Sequence, residues 1–460
     1  MDWMSYKNWL GNLLLSELPL QEKCPNFAQL VTDSREIKEG DWFFPLKGET
    51  YDGHNFIQEA INRGASGYFI QEGFPFESKV PSLRVANTMK AYHALASGWR
   101  SSLPSSFQLV ALTGSVGKTT TKTMVSLMLS HFAKTFSTPG NQNTEFSIPK
   151  ALFEIDSSYK YGVLEFGARH PGDIALLTHT AKPDVCVCIN AASAHLEIFK
   201  DRGTILKTKL EIISESPRNS VAVALHDNST LYENAKSFER KLFSFGYHPE
   251  ASVSIRSETK LNEGMEIVFA IHGESHRLFL PLYHQSYPIN AAAALAVGLA
   301  LDLPAKKCVE GLSTFTGIKG RYRIVKTKSG QIVIDDSYNA SPESMKAGLT
   351  SVLQSFYDKR KVLILGDMRE LGDSSEEAHK SLAPYCIKLN PDRLITVGNF
   401  SNLIAAEAIK LGMNPKQLIH FATVEDLIKK IKDLSENMEV IYIKGSAAIQ
   451  LSKAVEELVN

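Results

Sequence analysis

"QLVALTGSVGKTTTK", residues 108–122, decides the fold. Its first part, QLVAL, is a short apolar run that stops at turn residues, the pattern of a buried strand. Gly114 and Gly117 then permit a tight turn whose N–H groups face inward, and a helix expected from Lys118 aims its positive end at the same point. Strand, glycine turn and helix N-terminus in that order make an anion cradle. Lys118 adds a cation for terminal phosphates, and Thr119 a hydroxyl suited to Mg²⁺. The common pattern, G-x-x-x-x-G-K-[ST], would place glycine at 112, where Leu112 stands, so the loop is a shorter T-G-x-x-G-K-T. Gly114, Ser115, Val116, Gly117, Lys118, Thr119 and Thr120 are therefore expected at the phosphates of ATP.

Outward from this loop the chain alternates. "GYFI", "YGVLEFG", "DVCVCIN", "KVLILGD", "DRLITVG" and "EVIYIKG" are short β-rich runs, with helical stretches between many of them. Such alternation implies α/β architecture with parallel sheets covered by helices. The polar linker SSLPSS (101–106) and the break at TGIKGR (316–321) divide the 460 residues into three expected domains, 1–104, 105–318 and 319–460. That number agrees with a prior of about one domain per 150 residues. Residues 250–282 read as an antiparallel excursion within the middle domain.

Lys plus Arg and Asp plus Glu number 50 each, so no basic surplus supports a broad nucleic-acid footprint. No apolar run reaches the roughly 18 residues of a membrane span. The N-terminus carries early acids and no small-residue cleavage site, so it does not read as a signal peptide, and a cytoplasmic location is expected. Cys186 and Cys188 alternate on one strand and thus share a face; buried thiols are the expectation, since a metal site would need further ligands.

Three further residues bear on what the bound phosphate is for. Glu165 ends a buried strand, where a carboxylate beside a phosphate loop can reach Mg²⁺. His195 follows the next strand, in INAASAHLEIF, and Lys209 lies fourteen residues on, in KTKLEI. Singly, His195 reads as a capping or core histidine and Lys209 as a solvated lysine.

Together with other segments they resemble the Mur ligase family, in its MurF-type branch, over essentially the whole length. The N-terminal third contains TDSREIKEGDWFFPLKGETYDGHNFI, similar to the family's T-D-S-R and G-x-x-x-D-G-H segments. The middle contains the short phosphate loop, the Glu165 strand, A-H-L-E and K-x-E-I. The last third contains GRYRIV, DDSYNASPESM and LGDMRELG, and D-D-S-Y-N separates the chain from the sister ligase that adds the third amino acid. The resemblance implies a central P-loop-type parallel sheet flanked by an N-terminal α/β UDP-binding domain and a C-terminal Rossmann-like domain. It also implies an ATP-dependent C–N ligase of peptidoglycan precursor synthesis. The implied substrates are UDP-MurNAc-tripeptide, D-Ala-D-Ala and ATP, with Mg²⁺ as cofactor and a monomeric enzyme. It assigns Lys118, Glu165, His195 and Lys209 to catalysis, and Thr119, Glu165, His195 and a carbamylated Lys209 to metal. Asn290, Arg321 and Asp336 would reach the nucleotide, and Ser34, Arg35, Asp52, Gly53, His54 and Asn339 the other substrates.

The chain departs from the family at three places. Ala447 stands where the family has the arginine of K-G-S-R, Ser341 where it has an asparagine, and Ser147 where it has a glycine. Arg369, in GDMRELG, is a candidate for the missing charge. Rival readings are a folylpolyglutamate- or cyanophycin-type amide ligase, an inactive nucleotide-binding paralogue, and a transport or motor ATPase. The intact TDSR and DGH segments argue against the first, and Lys118, Glu165, His195 and Lys209 against the second. No water-positioning residue supports the third.

Overall fold

The computed structural model describes residues 3–16, 29–48, 50–191, 201–261 and 264–459. Three sheets follow one another along the chain. The first holds β1 (Leu30–Val31), β2 (Trp42–Phe43), β3 (Gly67–Gln71) and β4 (Ser82–Val85), in that order and all parallel. The second holds β5 (Gln108–Thr113), β6 (Thr135–Ser137), β7 (Tyr161–Glu165), β8 (Val185–Cys188), β9 (Val221–Leu225), β10 (Leu242–Gly246), β11 (Val253–Leu261), β12 (Gly264–Ile271) and β13 (Glu274–Leu280). Its order is β13-β12-β11-β10-β9-β8-β5-β7-β6; β11–β13 pair antiparallel, as the 250–282 stretch implied, and the other pairings are parallel. The third holds β14 (Arg323–Lys326), β15 (Ile332–Asp336), β16 (Lys361–Gly366), β17 (Arg393–Val397), β18 (Leu418–Phe421) and β19 (Val440–Lys444), in the order β14-β15-β19-β16-β17-β18.

β5 shows why the central sheet forms. Leu109 and Ala111 enter one apolar core and Val110 and Leu112 the other, the period-two alternation of a strand covered on both faces. Helix Lys118–Ser130 covers one face through Met124, Val125 and Met128, while Leu95, Ile148 and Ile174 from three other helices share the core on the opposite face. Burying each Leu or Val contributes roughly 1.5–3 kcal/mol. The strand is therefore held by its two faces, and the loop it carries is free to serve a ligand. On β8, Cys186 and Cys188 do share a face, and burial pushes both thiols up to about 12.

The cores are distributed unevenly. One apolar cluster runs from Tyr6 and Phe44 through Leu95 and Phe107 to Ile174 and Leu231, joining the first sheet to one face of the second. Arg100 adds an ion pair to Asp184 at 2.7 Å, and the same carboxylate accepts from the Leu109 N–H at 2.7 Å. By contrast, the two clusters around the third sheet draw only on residues from Tyr322 to Val455.

In the third sheet, a helix following β16 contributes Ala383 and Cys386 to one face, and the helix following β19 contributes Ala454 and Val455 to the other. β16 and β19 are parallel neighbours. Their carboxyl ends thus flank a topological switch point, the place where open α/β sheets leave a crevice for ligands.

Candidate active site

The phosphate loop leaves β5 at Thr113, whose hydroxyl donates to the Phe166 carbonyl at 2.9 Å. Gly117 has φ +81°, and a Cβ there would stand 2.8 Å from Asn290 Oδ1, so glycine is needed both for the turn and for the close approach. Asn290 Oδ1 also accepts from the Thr121 hydroxyl at 3.3 Å, placing this residue behind the loop. The N–H groups of Ser115 and Val116 converge on Asn190 Oδ1 at 2.9 and 3.1 Å. Convergent N–H groups of this kind form a cradle for an anionic oxygen. Thr120 sits on the first turn of the helix Lys118–Ser130.

Lys118 folds back onto this cradle, its ammonium donating to Gly114 O at 2.8 Å and Ser115 O at 3.3 Å. It is densely surrounded yet keeps some surface, as a cleft floor does. Desolvation lowers its pKa, the Glu165 carboxylate opposes that shift, and the Arg321 charge adds to it. Register explains the Glu165 position, because β7 pairs Glu165 with Leu112, one residue before the loop. Its Oε2 accepts from the Thr119 hydroxyl at 3.0 Å and its Oε1 from Asn143 Nδ2 at 3.0 Å. Lys122, one helical turn beyond Lys118, lies 3.8 Å from Glu165 Oε2 and donates to Thr138 O at 2.7 Å and Gly140 O at 2.6 Å.

Lys209 lies buried on helix Arg202–Ser214. Burial, and secondly the Lys118 charge, push its pKa down to about 7. Glu211 of the same K-x-E-I segment accepts from Gly172 N at 2.9 Å and Ala175 N at 3.0 Å, fixing the start of the helix Asp173–Ala181. His195 lies outside the described residues.

From the third sheet, Arg321 lays its guanidinium over the Tyr338 ring at 4.3 Å and feels the charges of both Asp336 and Glu165. Among the described residues its buried Nε has no hydrogen-bond partner, a donor left for a ligand. Asp336 is committed inside the sheet: Oδ2 pairs with Lys444 at 2.8 Å and accepts from the Tyr442 hydroxyl at 3.1 Å, while Oδ1 takes Tyr322 N at 3.1 Å. The Asn339 carbonyl also accepts from Lys444 Nζ, at 3.0 Å. Ser341 caps the helix Pro342–Ser355 in a reciprocal capping box with Ser344. Ser147 similarly accepts from Thr144 N at 2.9 Å at the start of its own helix.

The N-terminal residues fall into two kinds. Ser34 is buried, and Arg35 is exposed and doubly bonded to Asp33, at 2.9 Å from Nε to Oδ1 and 2.6 Å from Nη2 to Oδ2. That hydrogen-bonded pairing pulls the Asp33 carboxyl down to about 2. Asp52 caps the turn Gly53–Phe56, and a Cβ at Gly53 would meet the Leu46 backbone at 2.7 Å. His54 is buried with Nδ1 on Asp52 Oδ1 at 2.6 Å and Nε2 accepting from Gln71 N at 3.2 Å. Both ring nitrogens are engaged, so His54 shapes this loop from within. Lys150 reaches Glu36 at 3.4 Å and ties the Ser34–Glu36 turn to the central domain's side of the molecule.

Sequence reading did not single out Lys122, Asn143, Asn190 or Lys444. Lys122 was within reach, since its i+4 spacing from Lys118 puts both lysines on one helix face.

This constellation is matched by known proteins. Three family models cover most of the chain: "Mur ligase family, catalytic domain" at 26–100, "Mur ligase middle domain" at 112–298, and "Mur ligase, glutamate ligase domain" at 320–447. The UDP-N-acetylmuramoyl-tripeptide–D-alanyl-D-alanine ligase of Bacillus subtilis is 31% identical over 444 residues, 95% of each chain. A crystal structure of MurF from Acinetobacter baumannii superposes with TM-score 0.88 at 29% identity, covering 100% of this chain and 98% of that one. The MurF ligase of Thermotoga maritima, solved with ADP, superposes with TM-score 0.82 at 29% identity over 94% and 96% of the two chains. With similarity running the full length through all three sheets, the chain belongs to the Mur ligase family, in its MurF-type branch.

Proposed function

We propose that the protein is an ATP-dependent amide ligase that joins D-Ala-D-Ala to UDP-MurNAc-tripeptide in peptidoglycan precursor synthesis, acting in the cytoplasm as a monomer. The observation that carries this reading is the set around Glu165, where Thr119, Asn143 and Lys122 meet the carboxylate next to the Lys118 loop. In this reading residues 1–104 serve as the UDP-substrate-binding domain, 105–318 as the ATP-binding domain and 319–460 as the Rossmann-like ligase domain.

A carboxylate acylates poorly, so the tripeptide carboxylate first attacks the γ-phosphorus of ATP. The bridging P–O bond breaks, ADP leaves, and an acyl phosphate forms. The acceptor amine then adds to the carbonyl carbon, loses a proton, and the tetrahedral adduct expels phosphate to leave the amide. Phosphoryl transfer depends mainly on positioning and charge neutralisation. Lys118 supplies a cation at the loop, and the Ser115 and Val116 N–H groups would release Asn190 to take phosphate oxygens. Arg321 would bring a second cation and its free Nε from the third sheet, with Asp336 holding Lys444 at the same edge. Asn290 backs the loop on the nucleotide side. Thr119 and Glu165 offer hard oxygen donors side by side, a set that fits Mg²⁺; with His195 and a carbamylated Lys209 they would hold it, and it would neutralise phosphate charge when bound. On the other substrate, Ser34, Arg35 and the Asp52–His54 loop would form the UDP side, and Asn339 would face the peptide.

The test is to incubate the protein with ATP, Mg²⁺, D-Ala-D-Ala and UDP-MurNAc-tripeptide carrying either diaminopimelate or lysine, and to weigh the products. The expected result is one amide product with one ADP and one phosphate per turnover, dependent on the dipeptide. ATP hydrolysis indifferent to the dipeptide would favour a nucleotide-binding paralogue instead.

Arg35 gives a narrower expectation. Its guanidinium can take phosphate oxygens bidentately, and it is 78% exposed, so losing its pair with Asp33 should leave the fold intact. Arg35→Ala should raise KM for the UDP-linked substrate about tenfold with KM for ATP unchanged. Equal weakening of both substrates would place Arg35 outside the UDP side.

A further inference from the structure

Three loops meet at the switch-point edge of the third sheet: residues 337–341 after β15, 367–374 after β16, and 445–450 after β19. The loops after β16 and β19 are bonded together, Ser446 N donating to Asp367 O at 3.0 Å and Arg369 N to Ser446 Oγ at 3.1 Å. Around Arg369 the backbone is anchored from below. Asp367 is fully buried and accepts the N–H groups of Asn399, Phe400 and Ser401 at 2.7–2.9 Å, and Met368 N donates to His379 Nε2 at 3.0 Å. Met368 and Leu371 point into the core, whereas Arg369 is exposed between them. Among the described residues its guanidinium has no carboxylate partner within ion-pair distance.

The charge inventory of this edge is narrow. In those three loops Arg369 is the sole basic residue. The nearest other cation on β19, Lys444, is buried and paired to Asp336 at 2.8 Å. That pair lies beside Arg321, which feels Glu165 across the gap between the second and third sheets, so this edge faces the phosphate loop. With neighbouring strands about 4.8 Å apart, the end of β16 stands one strand spacing from Lys444 on β19 and two, roughly 10 Å, from Asp336 on β15.

We propose that Arg369 binds the free carboxylate of the acceptor dipeptide, holding its amine toward the acyl phosphate. This rests on the ligase reading above. A dipeptide acceptor presents two charged ends, and only the amine reacts; the carboxylate must be carried into the cleft and neutralised. An arginine on a fixed loop meets that need with a planar, two-pronged donor. The switch-point crevice supplies the place, and the absence of another exposed cation on these loops supplies the choice.

The test compares D-Ala-D-Ala with its C-terminal amide as acceptors, using the full-length enzyme with ATP, Mg²⁺ and UDP-MurNAc-tripeptide. Wild-type enzyme should prefer the acid by tenfold or more in kcat/KM. Arg369→Gln should raise KM for D-Ala-D-Ala at least about tenfold, leave KM for ATP and the UDP-linked substrate within about twofold, and lose the preference for acid over amide. Arg369→Lys should recover part of the preference, which separates charge recognition from a structural role of the loop. Undiminished discrimination in Arg369→Gln would overturn the assignment while leaving the ligase reading intact. A wild-type enzyme that joins no dipeptide at all would overturn both.

Discussion

Lys118→Ala is expected to cut ligation by about 10³-fold while the protein stays folded. The magnitude follows from removing one preorganised cation from the place where phosphoryl charge develops, where a single lost donor costs about 10²–10³ in rate. The folding half of the expectation rests on what Lys118 touches. Among the described residues its ammonium bonds only to carbonyls of its own loop, Gly114 and Ser115, and it belongs to none of the apolar clusters. Desolvation already disfavours its charge, so truncation relieves a cost in the protein without ligand. Circular dichroism and thermal melting should match wild type, and ADP release should fall together with amide formation. A folded variant with near-normal turnover would mean that the cradle of Ser115 and Val116 N–H groups serves something other than the transferred phosphate.

The second large effect concerns Lys209. A free ammonium beside Mg²⁺ would repel it, whereas a carbamate is an anionic oxygen ligand. Carbamate forms when the neutral amine adds to CO₂ and releases one proton, so it requires a lysine that is deprotonated near neutrality. Lys209 meets that condition, because burial and the Lys118 charge bring it to about 7. The sign is clear: below pH 7 the ammonium dominates and carbamate formation should fade, so activity should drop on the acid side and in CO₂-depleted buffer. Lys209→Ala should lose activity on the order of 10²-fold. Added acetate or formate should restore part of it by filling the vacated place with a carboxylate. Lys209→Arg should not respond, since it keeps the wrong charge and occupies the space. A fully active Ala variant, or no change on CO₂ removal, would return Lys209 to the role of a packed lysine.

How much of this was legible beforehand depends on the range of each interaction. The phosphate loop was readable because its chemistry is contiguous: strand, glycine turn, helix and GKT lie within fifteen residues. The shared face of Cys186 and Cys188 followed from strand alternation alone. Asn143 and Asn190 were not readable, because their roles exist only once β7 and β8 are laid beside β5; nothing local marks an asparagine that will cross 22 residues to Glu165 or 75 to Ser115. His54 shows the reverse case. The D-G-H segment suggests a ligand contact, and the structure shows both ring nitrogens bonded within the N-terminal domain, Nδ1 to Asp52 of the loop and Nε2 to the N–H of Gln71 at the end of β3. The linker at 101–106 was visible as a polar interruption, but composition carries no record of the apolar faces that meet on either side of it.

That last feature bears on how the chain behaves as a material. The first two sheets share an apolar core and the Arg100–Asp184 pair, whereas the third has apolar clusters of its own and meets the second through polar and ring contacts, such as Gln285 N to Ser351 Oγ at 3.0 Å and His284 against Tyr322 at 4.6 Å. Cooperativity follows continuity of the core. Heating or denaturant should therefore resolve two melting units, the first spanning the N-terminal two-thirds and the second the remainder. Protease cleavage near 318 should release two folded fragments, while a nick near 104 should leave both halves associated. The same partition sets the expected motion: the third sheet should swing against the N-terminal two-thirds, carrying Arg321 and Arg369 toward or away from the phosphate loop, and cross-linking residue 351 to residue 285 should slow turnover if it does.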